Sequence, residues 1–428
     1  MAKIALIVPP DKSGHVVSDY MAGLGMRVVG SESSLPPLNL LYYASVLRHE
    51  NNEVAVIDAS AEKLSVRQLM DRVLKSSPDK IFIEIRYPSF IYDLDLAQEL
   101  KRLGPSVYAV GPMASFFAGQ IMARYRLDGV EKTAFSHTSL DNLPLPARDL
   151  VDRDLYFFRT LPRKHLATVI TSQGCPYGCI YCPYYVVQGA RVMMRSVDSV
   201  MEELVMLYRA GYRSILFRDP IFTFDHQRVE EICNRMIHAR LHFDSWIETR
   251  TDNLDQQLLK LMRQAGVKGI NFGVESGSDA VAKAAGRKMH EKAKTREVID
   301  ICRKLGIRTK AFFIFGLPGE TSETLKQTIS SAIELNPDYA VFMIATPFPG
   351  TKLMELFLAD NKAGIFFEKE ENYYIPAGLT LDDLLTARKS AINKFYLRPG
   401  PIWRERKLLF SLHGVREALS CLKWLVRG

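Results

Sequence analysis

The sequence LATVITSQGCPYGCIYCPYY, residues 166–185, decides the fold of the chain. Its first residues form a short apolar run typical of a buried β-strand. The run continues into a loop that carries Cys175, Cys179 and Cys182 in the spacing C-x3-C-x2-C. Three thiolates on one tight loop can bind three irons of a 4Fe-4S cluster and leave the fourth iron open to a small molecule. The loop therefore predicts an iron–sulfur centre beside the end of a strand.

Two other interpretations of these cysteines remain open. A zinc site would need a fourth ligand, such as His165, and the three thiols could also be structural and buried. Six cysteines among 428 residues are too few for a disulfide scaffold. The isolated Cys233, Cys302 and Cys421 are expected to be core residues.

Downstream of the loop, strand-like and helix-like segments alternate. About six such pairs lie between residues 165 and 357, which predicts a parallel barrel, complete or partial. Each strand ends in a polar residue or a glycine, and in barrels that face carries the active site. These residues are Asp219, Arg250, Glu275, Gly316 and Thr346.

Upstream, residues 1–143 alternate in the same way and predict a parallel α/β sheet of the Rossmann type. Ligands of such sheets bind beyond the carboxyl ends of the strands. No G-x-G-x-x-G follows the first strand, which disfavours a dinucleotide site. Residues 144–164 form a linker that Pro144 and Pro146 stiffen. Residues 358–428 are predicted to be a helical extension.

The cysteine triplet, with an aromatic residue before its last cysteine, resembles the motif of the radical S-adenosylmethionine (SAM) superfamily. The segments ILFRDPIFTFD, INFGVESGS and FFIFGLPGET follow in the family's order. The resemblance covers about residues 165–355. It implies a partial (β/α)6 barrel of the TIM type, a 4Fe-4S cluster, and reductive cleavage of SAM to a 5′-deoxyadenosyl radical. The SAM contacts that it implies are Asp219, Arg250, Glu275, Ser276, Gly316 and Pro318.

Several of these residues also have a purely structural interpretation. Glu275 or Arg250, taken singly, could form an ordinary ion pair, because charges at strand ends often do. Tyr177, Tyr184 and Tyr185 lie around the cysteine loop and could contact SAM or substrate, or could pack around the cluster. No general acid or other catalytic side chain is assigned.

Nearly the whole chain is similar to the cobalamin-binding subgroup of this superfamily. The similarity is carried by LPPLNLLYYASVLRHENNEVAVIDAS near the start, by LPLPARDLV before the barrel, and by FYLRPGPIWR after it. It implies that cobalamin lies over the carboxyl edge of the first sheet. The contacts that it implies are Pro9, Leu38, Asn39 and Gly111.

The first domain departs from this subgroup in one respect and matches it in another. Its last strand–helix unit is expected to be truncated, since little more than RYRLDGVEKTAFSHTSLDN remains. There is no D-x-H-x-x-G motif to supply a histidine ligand to cobalt, and the subgroup usually lacks one. His15 follows Asp11 at the wrong spacing for that motif.

The predicted function is a radical SAM enzyme that uses cobalamin to methylate a carbon centre of a small-molecule or lipid-like substrate. An electron donor such as flavodoxin or ferredoxin is implied. Cyclisation, oxidation or rearrangement without cobalamin is the alternative. The net charge of +8 would suit RNA. RNA modification is nonetheless disfavoured, because enzymes that methylthiolate tRNA carry three more cysteines in the first domain, and here none precedes Cys175.

The C-terminal residues 401–428 form a basic amphipathic stretch. Such a helix can lie on an anionic bilayer, or it can pack on the protein with its basic side chains in water. The second interpretation is favoured because Gly414 interrupts the helix. No apolar run is long enough to span a membrane. The expected location is the cytoplasm, with membrane association in the first interpretation.

Overall fold

The computed structural model describes residues 1–12, 14–28, 33–131, 140–161, 163, 165–287, 292–360 and 372–400. The chain divides into two compact units. The first contains the described residues of 1–174 and 186–216, and the second those of 175–185, 217–360 and 372–400. The domain bounds expected from the sequence stay a prediction.

The N-terminal part of the first unit is built on a parallel sheet. The sheet has the order β5-β1-β6-β7-β8, and each of its pairings is parallel. Its elements and neighbours are β1 (Lys3–Val8), β2 (His15–Val17), β3 (Met26–Val28), β4 (Ser33–Ser34), α1 (Leu38–His49), β5 (Glu53–Asp58), α2 (Val66–Ser76), β6 (Lys80–Glu84), α3 (Phe90–Lys101), β7 (Ser106–Val110), α4 (Pro112–Phe116), α5 (Ala118–Arg124) and β8 (Gly129–Glu131).

Short apolar strands and one helix with a capping box illustrate how the local sequence forms the elements of this sheet. Strand β1 is buried from Ile4 to Val8, as expected for a parallel strand covered on both faces. Helix α2 begins at a capping box in which Ser65 and Gln68 bond each other's backbone. Strand β8 lies in the segment that was expected to be shortened, so the sheet gains a fifth strand of three residues.

The remaining elements comprise one strand of the predicted linker, the series predicted as a partial barrel, and a helix of the predicted C-terminal extension. They are β9 (Phe157–Phe158), β10 (Leu166–Val169), β11 (Ser172–Gln173), α6 (Pro183–Gln188), β12 (Met193–Met194), α7 (Val197–Arg209), β13 (Ser214–Phe217), α8 (His226–His238), β14 (Asp244–Glu248), α9 (Gln256–Gln264), β15 (Val267–Glu275), α10 (Asp279–Ala284), α11 (Lys292–Leu305), β16 (Arg308–Phe315), α12 (Ser322–Leu335), β17 (Tyr339–Ile344), α13 (Lys352–Asp360) and α14 (Leu381–Tyr396). The order β10-β13-β14-β15-β16-β17 forms a six-stranded sheet. The predicted α/β class is thus confirmed.

Alternation along β16 shows which face of the sheet the helices of the second unit cover. Phe313 is fully buried and stacks on Phe342 of β17 at 5.3 Å between ring centres. Phe342 in turn contacts Phe395 of α14. Lys310 and Phe312, on the opposite face of β16, are only half-buried. The helix-covered face is therefore the core, and the other face lines the interior of the barrel.

Two expectations concern the ends of the chain and membranes. None of the helices in the described part of the chain combines the length and the apolar composition that crossing a bilayer requires. The basic stretch 401–428, with Gly414 and Cys421, lies outside the described residues. Its two interpretations stay predictions.

Cys233 and Cys302 are buried, as expected of core residues.

Candidate functional site

The cysteine loop is a tight turn held by backbone hydrogen bonds. The N–H of Cys179 donates to the carbonyl of Tyr177 over 2.8 Å, and that of Cys182 donates to the carbonyl of Cys179 over 3.1 Å. In the middle of the loop, the N–H of Ile180 donates to the carbonyl of Ala285 over 3.1 Å, just beyond α10. The loop is therefore shaped by its own turns and by a neighbouring helix end.

The residue before the first cysteine has to be glycine. Gly174 has a φ of +86°, and a Cβ built there would lie 2.0 Å from the carbonyl oxygen of Arg191. Real Cβ atoms do not approach an oxygen so closely, and a positive φ disfavours other residue types. Any side chain at this position must displace the backbone that leads into the loop.

The three thiols are shielded from water to different degrees. Cys175 is buried, and Cys179 and Cys182 are half-buried. Burial raises the pKa of all three thiols. Iron binding must therefore displace their protons.

The described residues hold no set of three or more His, Cys, Asp or Glu side chains that converges on a single metal ion. In a 4Fe-4S cluster each thiolate binds a different iron, so its ligands surround the cluster rather than one point. The Nδ1 atom of His165, the fourth ligand of the zinc interpretation, lies 3.1 Å from a carboxylate oxygen of Asp154.

Glu275 ends β15 beside the cysteine loop, in a left-handed conformation with a φ of +69°. Its Oε1 lies 2.7 Å from Nη1 of Arg287, which also donates to the hydroxyl of Tyr181 over 3.1 Å. Its Oε2 is buried and has no hydrogen-bond partner among the described residues. Burial raises the pKa of Glu275, and the charge of Arg287 opposes that rise. A buried acceptor without a partner marks a place for a donor on a ligand.

Arg250 reaches the same loop from the end of β14. Its Nε and Nη2 lie 2.9 and 2.7 Å from the two carboxylate oxygens of Asp252. Its guanidinium carbon lies 4.2 Å from the ring centre of Tyr177, between the first two cysteines. Glu275 and Arg250 thus both form the ion pairs of the structural interpretation. Both ion pairs also contact tyrosines of the cysteine loop.

A further polar group lies at the ends of β13 to β15. Nη1 of Arg218 lies 3.0 Å from Oε1 of Glu248, and its Nη2 lies 3.3 Å from the hydroxyl of Tyr184. The same Glu248 oxygen accepts from the amide of Asn271 over 3.3 Å. Asp219, the next residue after Arg218, is fully buried. Arg218 therefore places a buried positive charge at the end of β13, beside Glu248 and Tyr184.

The segment FFIFGLPGET ends β16 in a turn organised by Glu320. Its Oε2 accepts from the N–H of Gly316 over 2.5 Å and from that of Leu317 over 3.3 Å. Its Oε1 is buried without a hydrogen-bond partner among the described residues. Burial raises the pKa of Glu320 to about 7. Pro318 lies half-buried at the tip of this turn.

The hydroxyl of Ser276 forms hydrogen bonds to other residues of the protein. Its hydroxyl lies 3.3 Å from that of Thr328 on α12 and accepts from the N–H of Ser278 over 3.1 Å. The N–H of Gly277 donates to the Thr328 hydroxyl over 2.9 Å. These bonds fix the end of β15 against α12. SAM binding by Ser276 stays a prediction.

The residues predicted to contact cobalamin all lie at or near the carboxyl edge of the first sheet. Pro9 and Gly111 are buried, and Gly111 has a φ of +104°. Leu38 is fully buried and packs with Tyr42 and Ile170. Asn39, one residue further along α1, is half-buried. The cofactor contacts of these residues stay predictions.

The same edge holds a buried charge cluster that the sequence did not reveal. Arg86 is fully buried and lies 2.9 Å from Asp93 and 3.1 Å from Asp11. Glu84, at the end of β6, has a buried Oε2 without a hydrogen-bond partner among the described residues. Burial raises its pKa to about 8. Polar atoms therefore converge where ligands of parallel sheets bind.

Sequence reasoning also missed Arg287, Glu320 and the hydroxyl of Tyr181. Arg287 is buried, and no motif in the sequence marks it. Glu320 lies within FFIFGLPGET and could have been found there, because an acid beside a glycine turn commonly accepts backbone N–H groups. The cysteine motif requires only an aromatic residue before its last cysteine, so it does not predict the hydroxyl of Tyr181.

Comparisons with known proteins agree with this arrangement. The radical SAM superfamily profile matches residues 169–332. The chain is 27% identical to an uncharacterized methyltransferase of Pyrococcus horikoshii over 96% of this chain and 95% of that protein. It is 25% identical to the hopanoid C-3 methylase of Methylococcus capsulatus over 74% of this chain and 68% of that protein. It spans less than half the length of several other relatives that it matches.

A solved structure shares the fold across nearly the whole chain. It is the radical SAM methyltransferase TsrM of Kitasatospora setae with cobalamin and a 4Fe-4S cluster bound. The TM-score is 0.68 at 17% identity, covering 94% of this chain and 92% of that chain. At this identity the likeness concerns the fold alone.

Proposed function

We propose, on the premise that this chain is an enzyme of the radical SAM superfamily, that it is a cobalamin-dependent methyltransferase acting on a carbon centre. The observation that carries the proposal is the similarity to a methyltransferase over 96% of the chain. The fold shared with TsrM over both units supports it. When bound, the cluster supplies the electron that cleaves SAM, and cobalamin carries the methyl group.

The residues of the cysteine loop fit a 4Fe-4S cluster. Cys175, Cys179 and Cys182 would each bind one iron as thiolates. Gly174 leaves the space that the loop needs, since a Cβ there would meet a backbone oxygen. The missing fourth thiol suits a cluster with one iron open to SAM.

The residues around the loop fit SAM. The unpartnered Oε2 of Glu275 would accept from a hydroxyl or ammonium group of SAM, and Asp219 would do the same at the end of β13. Arg250 carries positive charge beside the loop. The turn at Gly316 and Pro318 would pack against the adenine, held in shape by Glu320.

The carboxyl edge of the first sheet offers polar atoms for cobalamin. Oε2 of Glu84 and Nε2 of His15 are both buried there without hydrogen-bond partners among the described residues. Because the pKa of Glu84 is raised to about 8, its carboxyl is largely protonated at neutral pH and can donate to an amide oxygen of the corrin. Pro9, Asn39 and Gly111 would bound the site.

The substrate is proposed to be a small molecule or a lipid-like compound. Similarity to a methylase named for hopanoids supports the lipid-like class. One-electron reduction of the cluster requires a donor such as flavodoxin or ferredoxin.

Anaerobic reconstitution tests the proposal. The chain is loaded with iron, sulfide and hydroxocobalamin, desalted, and analysed for metal content and absorption spectrum. We expect about four irons and one tightly held cobalamin per chain. Cys175→Ala is expected to lose the iron and keep the cobalamin, and Cys233→Ala serves as the matched control, because Cys233 is a buried core thiol on α8.

Methyl transfer is tested with SAM labelled in its methyl group. Label transferred to added acceptors, with release of 5′-deoxyadenosine, supports the proposal. Iron without cobalamin would remove the methyltransferase part and favour cyclisation, oxidation or rearrangement. Iron retained in Cys175→Ala would overturn the assignment of the cluster loop.

A further inference from the structure

Arg250 is a buried cation packed against the cysteine loop. Its guanidinium carbon lies 4.2 Å from the ring centre of Tyr177. The backbone N–H of Tyr177 donates to the thiol of Cys175, and its carbonyl accepts from the N–H of Cys179 over 2.8 Å. The positive charge therefore lies over a residue that is hydrogen-bonded to two of the three cysteines that would bind iron.

The ion pair of Arg250 does not cancel its charge at the loop. The carboxylate of Asp252 lies 2.7 Å from the guanidinium, but the side chain of Asp252 is 46% exposed and that of Arg250 only 7%. Water and salt screen an exposed charge far more strongly than a buried one. The field of the arginine therefore acts on the cysteine loop, while solvent screens much of the opposing field of the aspartate.

The other arginine beside the loop differs in this respect. Arg287 pairs with Glu275 over 2.7 Å, and the two side chains are 6% and 8% exposed. Solvent screens neither charge, so the two fields oppose each other with similar strength. The pair contributes little net charge to the site, and Arg250 contributes more.

The thiols respond to the charge of Arg250. Burial raises the pKa of Cys175 and of Cys179, and the charge of Arg250 acts against that rise in both. A nearby cation favours the more negative of two states of a group. The same rule applies to a cluster bound by these thiolates, because its reduced state carries one negative charge more than its oxidised state.

We propose that Arg250 raises the reduction potential of the 4Fe-4S cluster and so favours its one-electron reduction, an inference that rests on the cluster part of the proposed function. Net charge is one of the factors that set the potential of an iron–sulfur cluster. In this step the donor, a flavodoxin or ferredoxin, loses one electron and the cluster gains it. No bond of the protein forms or breaks. The role is separate from the SAM contact that the resemblance implies for the same residue.

The chemistry of arginine suits this role. The guanidinium stays protonated at every pH at which the protein is folded, so its charge is permanent. Its planar face can stack on an aromatic ring, as it does on Tyr177. The nitrogens at its edge remain available for Asp252.

Potentiometric titration in the absence of SAM tests the inference. The full chain is reconstituted anaerobically with iron and sulfide, and the reduced cluster is quantified by electron paramagnetic resonance as the solution potential is lowered. In Arg250→Met, the ratio of reduced to oxidised cluster at a fixed potential should fall by about tenfold, which is about 59 mV for one electron. Because SAM is absent, a lost SAM contact cannot produce this shift.

Three further variants separate charge from structure. Arg250→Lys keeps the charge and should have a potential close to that of the wild type. Asp252→Asn removes the screened negative charge and should shift the potential upwards by a smaller amount. Arg303→Met is the matched control, because it breaks an exposed ion pair with Asp300 on α11, and it should leave the potential unchanged.

Arg250→Met is expected to fold and to bind iron. Its partner Asp252 is already half exposed, so the substitution leaves no buried charge alone. If this variant nonetheless fails to bind iron, Asp252→Asn decides the question. A potential of Asp252→Asn at or below that of the wild type would then overturn the inference.

The other outcomes separate the inference from the function on which it rests. Equal potentials of the wild type and Arg250→Met, with weaker SAM binding by the variant, would assign Arg250 to SAM contact alone. Downward shifts in both Arg250→Met and Asp252→Asn would mean that disturbance of the loop, and not charge, changes the potential. Either result overturns the inference and leaves a radical SAM enzyme. A wild-type chain that binds no iron would overturn the proposed cluster and the inference together.

Discussion

Replacing Arg287 with methionine isolates the electrostatics of the buried ion pair beside the cysteine loop. Arg287 and Glu275 are both buried, and their closest atoms are 2.7 Å apart. Methionine fills similar space without charge, so Arg287→Met leaves a buried carboxylate alone. Breaking a buried pair by removing one partner typically costs about 3–5 kcal/mol.

Protonation of Glu275 limits this cost. At pH 7, protonating a carboxyl of ordinary pKa 4.5 costs about 3.4 kcal/mol, since each pKa unit is worth about 1.4 kcal/mol. The part of the deficit that comes from the unpaired charge should therefore be at most about 3.4 kcal/mol at pH 7. Loss of the Arg287 hydrogen bonds to the Tyr181 hydroxyl and the Gly273 carbonyl adds a part that does not depend on pH. Without Arg287 the folded chain binds this proton more tightly than the unfolded chain does. Stability then rises as the pH falls, and the part of the deficit that comes from the unpaired charge should shrink to at most about 1.4 kcal/mol at pH 5.5.

Denaturant unfolding of the reconstituted chain under anaerobic conditions, followed by circular dichroism from pH 5.5 to 8, measures these values. Glu275→Gln in the Arg287→Met background should recover most of the loss, because no charge is then buried. Arg296→Met is the matched control on α11 and should change the free energy of unfolding by less than about 0.5 kcal/mol. A deficit that is independent of pH, or that the second substitution fails to relieve, would refute the reasoning.

Three further predictions concern Gly174, Glu320 and Gly269. Gly174→Ala should lower the iron content after reconstitution, because its Cβ would lie 2.0 Å from the carbonyl oxygen of Arg191; an unchanged iron count would contradict this. The wild type should gain stability relative to Glu320→Gln as the pH falls from 8 to 5, since an acid whose pKa is raised to about 7 binds more protons in the folded state. Parallel pH profiles in denaturant would argue against that. Gly269→Val should destabilise the barrel by about 1–3 kcal/mol through overpacking, because a Cβ there lies 2.2 Å from the ring of Trp246; thermal unfolding at the wild-type temperature would disprove the clash.

The sequence was sufficient for the elements because they depend on local patterns. Apolar strands, amphipathic helices and glycine turns predicted both sheets, and the polar or glycine residues at the strand ends singled out Arg250, Glu275 and Gly316. The cysteine loop was equally predictable, since its three cysteines lie within eight residues of sequence. The strands that were missed, β8 among them, have only two or three residues each, too few for a periodic pattern.

The contacts of the site were less predictable. Arg287 meets Glu275 because β15 shifts register against β16 between Gly273 and Glu275 and because Glu275 adopts a positive φ. Such irregularities turn a strand-end side chain in a new direction. No periodic pattern in the sequence predicts the register shift or the positive φ.

The sequence by itself determined the fold class, the order of the elements and the loop that offers three thiols to iron, since each of these follows from residues that are neighbours along the chain. The tertiary structure alone decided the pairing of Glu275 with Arg287 and the meeting of Asp11, His15 and Ser60. These contacts join residues from 4 to 49 positions apart. Their distances depend on strand register and on a few left-handed backbone angles, which packing of the whole unit selects.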